Sequence, residues 1–179
     1  SSNNLVSLNG LEKAIRIEVI EAENNRITNL NGLSNATVLK SVSLKDNFNG
    51  LFIGFGSNFS LDIFTKSAET LKELHLDNNI ISDFSPISQL KMLKILTLDN
   101  CNVNSLEFMK DLTSLEHFSA SGSSITSIDG LENCTALNYL DLSSNSITSI
   151  DKLPAFTQQN LRLNLSNNLL TAISLPNYD

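Results

Sequence analysis

The amino-acid sequence predicts an α/β solenoid: a right-handed superhelix of about seven to eight coils, with a parallel β-sheet on its concave side and mostly loops and 3-10 turns on its convex side. Three observations carry this prediction. One frame of apolar residues recurs every 22 residues, each copy opens with an apolar–polar–apolar triplet of strand period, and an asparagine or a small substitute follows that triplet at a fixed distance.

The frame is plainest in "LNYLDLSSNSITSIDKL", residues 137–153, where Leu137, Leu140 and Leu142 precede Asn145 and are followed by Ile147, Ile150 and Leu153. Neither a helical period of 3.6 nor simple alternation spans that stretch. "LKELHLDNNIISDFSPI" from Leu71, "LKILTLDNCNVNSLEFM" from Leu93 and "LEHFSASGSSITSIDGL" from Leu115 repeat the frame at intervals of 22, and Leu137 continues the series. Upstream it begins at Ile17 and Leu39. Downstream "NLRLNLSNNLLTAI" carries it with one extra residue, so that Asn160 takes the first slot. The opening "NNLVSLNGL" reads as the second half of an eighth coil.

The physics of a coil follows from these slots. Leu140 and Leu142 flank Asp141, so the leucines point to one side of a short strand and Asp141 to the other. One coil cannot cover its own apolar side, so strands stack into a parallel sheet and each coil shields its neighbour. After the strand the chain must bend, which buries backbone N–H and C=O groups beyond reach of the sheet ladder. Asn25, Asn47, Asn79, Asn145 and Asn168 stand at that bend, where an amide supplies both donors and an acceptor. Cys101 and Ser123 hold the same slot with weaker or shorter groups, so this structural ladder is expected to be less complete there. Three residues before each frame lies another apolar slot: Ala14, Ala36, Ala68, Leu90, Leu112 and Cys134. Cys101 and Cys134 are thus expected as buried free thiols, in different coils and too far apart to bridge.

The frame breaks most strongly between its second and third copies. From Leu39 to Leu71 the interval is 32, and the excess holds "FNGLFIGFGSNFSLDIF", with five of the nine Phe and three of the seven Gly. Apolar residues at 61, 64, 68 and 71 predict a longer outer-face helix beginning near Ser60 as N-cap. The irregular repeat as a whole covers 48–70, and its first half is expected to protrude as a loop. Phe52, Phe55 and Phe59 there either fold back onto the solenoid or form an accessory patch for a partner. "GFGSNF" lacks the third Gly, the Lys and the helix start of a phosphate-binding loop.

Over nearly the whole chain the pattern L-x-x-L-x-L-x-x-N-x-I-x-x-I-x-x-L resembles the leucine-rich repeat proteins with 22-residue repeats. "NNIISDFSPISQLKMLKILTLDN" is similar to the internalin-like bacterial surface proteins, whose coils carry a similar S-D-x-S-P-[LI] step. "SITSIDGLENCTALNYLDLSSNSITSIDKL" fits that group and the intracellular SDS22-like group equally. The first resemblance implies a secreted or cell-surface adhesion and recognition module. The second implies an intracellular scaffold or regulatory subunit that docks another protein, such as a phosphatase.

Composition narrows the partner. The 179 residues, 41% hydrophobic, suit a single domain over 1–179 with a continuous core, and no apolar run approaches the ~20 residues that span a bilayer. Membrane insertion within this segment is therefore not expected. Nineteen acidic against twelve basic residues give a formal charge of −7, which opposes contact with a phosphate backbone and sets nucleic acid aside. Neither "SSNN" nor "TAISLPNYD" reads as a full cap, so a longer protein or assembly is expected. The sequons at Asn35, Asn58, Asn133 and Asn164 carry little weight in a chain this rich in Asn, Ser and Thr.

The frame also fixes which side chains face outward from the concave sheet. They form three columns: Val19, Ser41, Glu73, Ile95, His117, Tyr139, Arg162; then Glu21, Ser43, His75, Thr97, Ser119, Asp141, Asn164; then Glu23, Lys45, Asp77, Asp99, Ser121, Ser143, Ser166. From these, Val19, Glu21, Glu23, Glu73, His75, Asp77, Ile95, Thr97, Asp99, His117, Ser119, Tyr139, Asp141 and Arg162 are the candidate partner-binding residues. Acidic side chains dominate the early and middle coils, which favours a protein partner with a basic or polar surface. Ile95, His117, Tyr139 and Arg162 make a mixed stripe of the kind that forms interface hot spots. A metal site at Glu73, His75 and Asp77 is rejected because alternate residues of one strand spread too far. A Ser119–His117–Asp99 triad is rejected because nothing buries the Asp or builds an oxyanion hole. The expected function is thus non-catalytic protein recognition through the concave face, without cofactor; the rival is a structural spacer.

Overall fold

Seven strands of three residues each form one parallel sheet in chain order: β1 Val19–Glu21, β2 Ser41–Ser43, β3 Glu73–His75, β4 Ile95–Thr97, β5 His117–Ser119, β6 Tyr139–Asp141 and β7 Arg162–Asn164. The structure is a computed structural model and describes residues 3–47, 60–157 and 160–172. Register runs without slip from Val19↔Ser41 to Tyr139↔Arg162. The long interval between β2 and β3 and the extra residue before β7 therefore leave the register unchanged.

The middle residue of each strand points into the core. Val42, Leu74, Leu96, Phe118 and Leu140 have no solvent exposure, and neither does Leu142, while Asp141 between the two leucines is half-exposed. Phe118 fills its slot with a larger ring, and Ala120 stands at the next inward position, where the neighbouring coils carry Leu98 and Leu142. Large beside small keeps the stack at native density. Both cysteines are free and buried, and burial raises each thiol to about 12.

At the bend after each strand, the residue ahead of the ladder slot adopts a left-handed backbone: Asn24, Asp46, Asn78, Asn100, Ser144 and Asn167 have φ between 54° and 58°, and Gly122 has φ 65°. Asn, Asp and Gly tolerate this conformation best, which accounts for the runs "NN", "DN" and "GS" at this point. The ladder itself crosses from coil to coil. Asn47 Oδ1 accepts the Ile27 N–H at 3.0 Å, and its Nδ2 donates to Ala22 O of the preceding coil at 2.9 Å and to Leu44 O of its own at 2.8 Å. Asn145 and Asn168 repeat this pattern, Asn79 takes the Asn47 N–H, and Asn25 takes the N–H of Leu5. Cys101 keeps a thiol contact to Leu76 O at 3.0 Å, whereas the buried Ser123 hydroxyl has no partner among the described residues.

The convex side is built from 3-10 segments at Asn31–Leu33, Leu61–Ser67, Ser85–Gln89 and Glu107–Met109. The helix expected from Ser60 starts there, but as a seven-residue 3-10 helix, and the Ser60 hydroxyl donates to the Asp62 carboxylate rather than capping a backbone amide. Three residues per turn put 61, 64 and 67 on one face, so Leu61, Phe64 and Ser67 are buried and Ala68 is only half-buried. Ser67 is satisfied in that position: its Oγ accepts the Leu39 N–H at 3.1 Å and donates to Ala36 O at 3.0 Å. Ahead of β1, the half coil lies along the first bend, with Arg26 N–H donating to Leu5 O, Thr28 N–H donating to Val6 O, and Leu8 buried. Phe52, Phe55 and Phe59 lie outside the described residues.

Candidate functional site

The first two concave-face columns expected from the frame are rows of register partners across the sheet, and the third lies two residues beyond the strand ends. Exposure within the columns is uneven. Val19, Glu21, Glu23 and Arg162 are exposed, and Glu73, His75, Ile95, Asp99, His117, Tyr139 and Asp141 are half-buried. Asp77, Thr97 and Ser119 are buried at 6%, 7% and 5% exposure, because strands only ~4.8 Å apart let short polar side chains bond sideways to the next coil.

Those sideways bonds form a network that is continuous from Lys45 through Asp77 and Asp99 to Ser121. Asp77 accepts the Thr97 hydroxyl at 2.7 Å and the Asp99 N–H at 2.9 Å, and pairs with Lys45 at 2.9 Å. His75 Nδ1 lies 3.0 Å from Thr97 Oγ1; since that hydroxyl donates to Asp77, the imidazole is the donor. Asp99 accepts the Ser119 hydroxyl and the Ser121 N–H, and Glu23 accepts the Ser43 hydroxyl. Ser119 is thus bonded to Asp99 and not to His117, so the triad geometry is not assembled. No group of three or more His, Cys, Asp or Glu among the described residues is arranged to hold a metal ion.

Beyond this network the first column changes character. The rings of His117 and Tyr139 stack with centroids 4.1 Å apart and planes 2° from parallel. Arg162 places its guanidinium carbon 5.9 Å from the Tyr139 centroid. Identical column spacing in every coil brings these side chains face to face, and a stacked pair of this kind contributes about 0.5–1.5 kcal/mol beyond its buried area. Burial, and then the neighbouring His75, lower the His117 pKa; burial, and then Lys45, lower that of His75. Burial followed by the Asp141 charge raises that of Tyr139. Asp141 is pushed up by burial, yet the Ser143 hydroxyl and amide, together with Asn164, hold it below its ordinary value.

A family model described as "Leucine Rich repeats (2 copies)" matches residues 113–155. Among solved structures, internalin C2 of Listeria monocytogenes superposes with a TM-score of 0.79 at 22% identity, over 97% of this chain and 72% of that one. The fold is a leucine-rich repeat solenoid. Internalin F of Listeria monocytogenes follows at TM-score 0.65 and 18% identity, over 94% of this solenoid and 59% of that chain. A leucine-rich repeat protein of Leptospira interrogans follows at 0.62 and 22%, over 95% and 54%. The solenoid therefore spans less than two thirds of the latter two. No curated protein matches the sequence.

Sequence reasoning placed the columns but missed what lies within them. The stacking of His117 on Tyr139 had a signal, the adjacency of two rings in one column at strand spacing. The burial of Asp77, Thr97 and Ser119 had one as well: each short polar group sits one strand away from a carboxylate or hydroxyl of complementary reach.

Proposed function

We propose that this leucine-rich repeat solenoid is a non-catalytic recognition module that binds a partner protein through its concave face. The row Ile95, His117, Tyr139 and Arg162 is the main support: its side chains reach solvent, and stacking already holds His117 and Tyr139 in place, so binding costs little further ordering of them. The acidic early coils favour a partner with basic or polar character opposite them. The step Ser82–Asp83–Phe84–Ser85–Pro86–Ile87, which opens the 3-10 segment Ser85–Gln89, supports an internalin-like role at the cell surface or in secretion over an SDS22-like intracellular scaffold. No helix among the described residues is long and apolar enough to cross a membrane.

The test is capture of a partner from cell surfaces and from lysate by the native chain and by the Tyr139→Ala and His117→Ala variants. Loss of capture of the same partner by both variants supports recognition. Unchanged capture favours the rival, in which the curve only spaces other parts of an assembly.

A further inference from the structure

We propose that the concave face is bipolar: coils one to four receive cationic side chains of the partner, and coils five to seven receive its carboxylates. This rests on the concave face being the contact surface, and it specifies the partner as a protein segment with Lys or Arg at one end and Asp or Glu at the other.

The acceptor-binding pole follows from how the stack is built. Tyr139 stands on β6 between β5 and β7, so His117 on β5 covers one face of its ring and Arg162 on β7 covers the other. A partner cation needs an open aromatic face, and neither face of Tyr139 is open. What the stack turns outward is ring edges, which are the positive rim of the aromatic quadrupole, together with the Tyr139 hydroxyl and the N–H groups of Arg162. Arg162 is exposed and has no ion pair among the described residues. The carboxylate on this half of the face, Asp141, is already engaged. Its Oδ1 accepts the Ser143 N–H at 2.9 Å and the Ser143 hydroxyl at 2.6 Å, and its Oδ2 accepts Asn164 Nδ2 at 2.8 Å. The Tyr139 hydroxyl lies 3.5 Å from Oδ2, too long to hold it, so it remains available to an incoming oxygen.

The first four coils have the opposite character. Glu21 and Glu23 are exposed and Glu73 is half-exposed, with Asp77 and Asp99 behind them, and the facing cation, Lys45, is tied to Asp77. From β1 to β7 are six strand steps, roughly 29 Å along the sheet at ~4.8 Å each. The Debye length near physiological salt is about 8 Å, so Glu21 on β1 and Arg162 on β7, at the two ends of the face, are screened from each other, while coils four and five meet one strand step apart.

Isotope-labelled protein at about 0.15 M salt is titrated with two end-capped peptides, a Glu–Gly repeat and a Lys–Gly repeat, and followed by NMR. The Glu–Gly peptide is expected to shift the ring signals of His117 and Tyr139 and the side-chain N–H of Arg162, and the Lys–Gly peptide the signals of Glu21, Glu23 and Glu73. Arg162→Gln should abolish the first set of shifts and leave the second unchanged, and Glu21→Gln with Glu73→Gln should do the reverse, while the remaining amide signals report an intact fold. A Glu–Gly peptide that leaves coils five to seven unmoved, or two peptides that shift the same residues, overturns the bipolar assignment. If both peptides leave the concave signals unmoved, the contact surface itself is wrong.

Discussion

Ser123→Asn should stabilise the protein by completing the ladder. One coil on, Asn145 Nδ2 donates to Ala120 O, Leu142 O and Ser143 O at 2.9, 3.0 and 3.1 Å, and its Oδ1 accepts the Ile125 N–H at 3.0 Å. The same offsets from position 123 lead to Leu98 O, Ala120 O, Ser121 O and the N–H of Val103. At present the slot holds a buried hydroxyl without a partner among the described residues, a state that costs about 1–3 kcal/mol. Replacing it with an amide removes that cost and adds bonds of about 0.5–1.5 kcal/mol each. Against this stands about 1 kcal/mol for ordering a longer side chain. Counting one such bond, the net gain is about 0.5–3.5 kcal/mol. For a protein of this size that corresponds to roughly 1–14 °C in Tm. Thermal and urea unfolding followed by circular dichroism measure it, with Ser123→Ala as the control that removes the hydroxyl without adding a bond. A Ser123→Asn protein that melts at or below the native temperature, or a Ser123→Ala protein that loses more than about 1 kcal/mol, would refute the reasoning.

Three further outcomes are expected. Gly130→Ala should cost about 1–3 kcal/mol in urea titration, because its Cβ would lie 2.1 Å from Leu106 O and its backbone sits at φ +105°; native-like stability would contradict the close approach. His75 and His117 both have folded pKa values lowered below the ordinary 6.5, chiefly by burial, so the unfolded chain binds protons first and stability falls as pH drops from about 6.5 through the folded values. Urea midpoints at pH 7 and pH 5 should therefore differ more in the native protein than in a His75→Gln, His117→Gln double variant, and equal differences would count against it. Cys101 and Cys134, raised to about 12 and buried, should resist iodoacetamide at pH 8 while folded and react fully in denaturant. Rapid labelling of the native protein would show that these slots open.

The repeat made the sheet legible because its inward slots are set by packing and its register by identical spacing. Leu39 and Leu71 alone were enough to align Ser41 with Glu73 across the long coil. The ladder slots could be located for the same reason, and Ser123 stood out by being too short to span the bend. What a 22-residue frame does not encode is the choice between 3.6 and 3.0 residues per turn on the outer side. Leu61, Phe64 and Ala68 fit the former, and only the burial of Ser67 shows that the latter was adopted. Nor does a column reveal whether its members face solvent or each other. Asp77 and Thr97 read as outward polar groups, yet their mutual hydrogen bond withdraws both from the surface.

The unbroken pairing of Ser41–Ser43 with Glu73–His75 has a practical meaning for engineering. Ten residues beyond the usual repeat enter and leave between two strands that remain adjacent, so this junction accepts cargo while the rest of the molecule keeps its shape. A reporter, an epitope or a randomised binding loop spliced there would be displayed on a scaffold whose opposite surface stays unchanged.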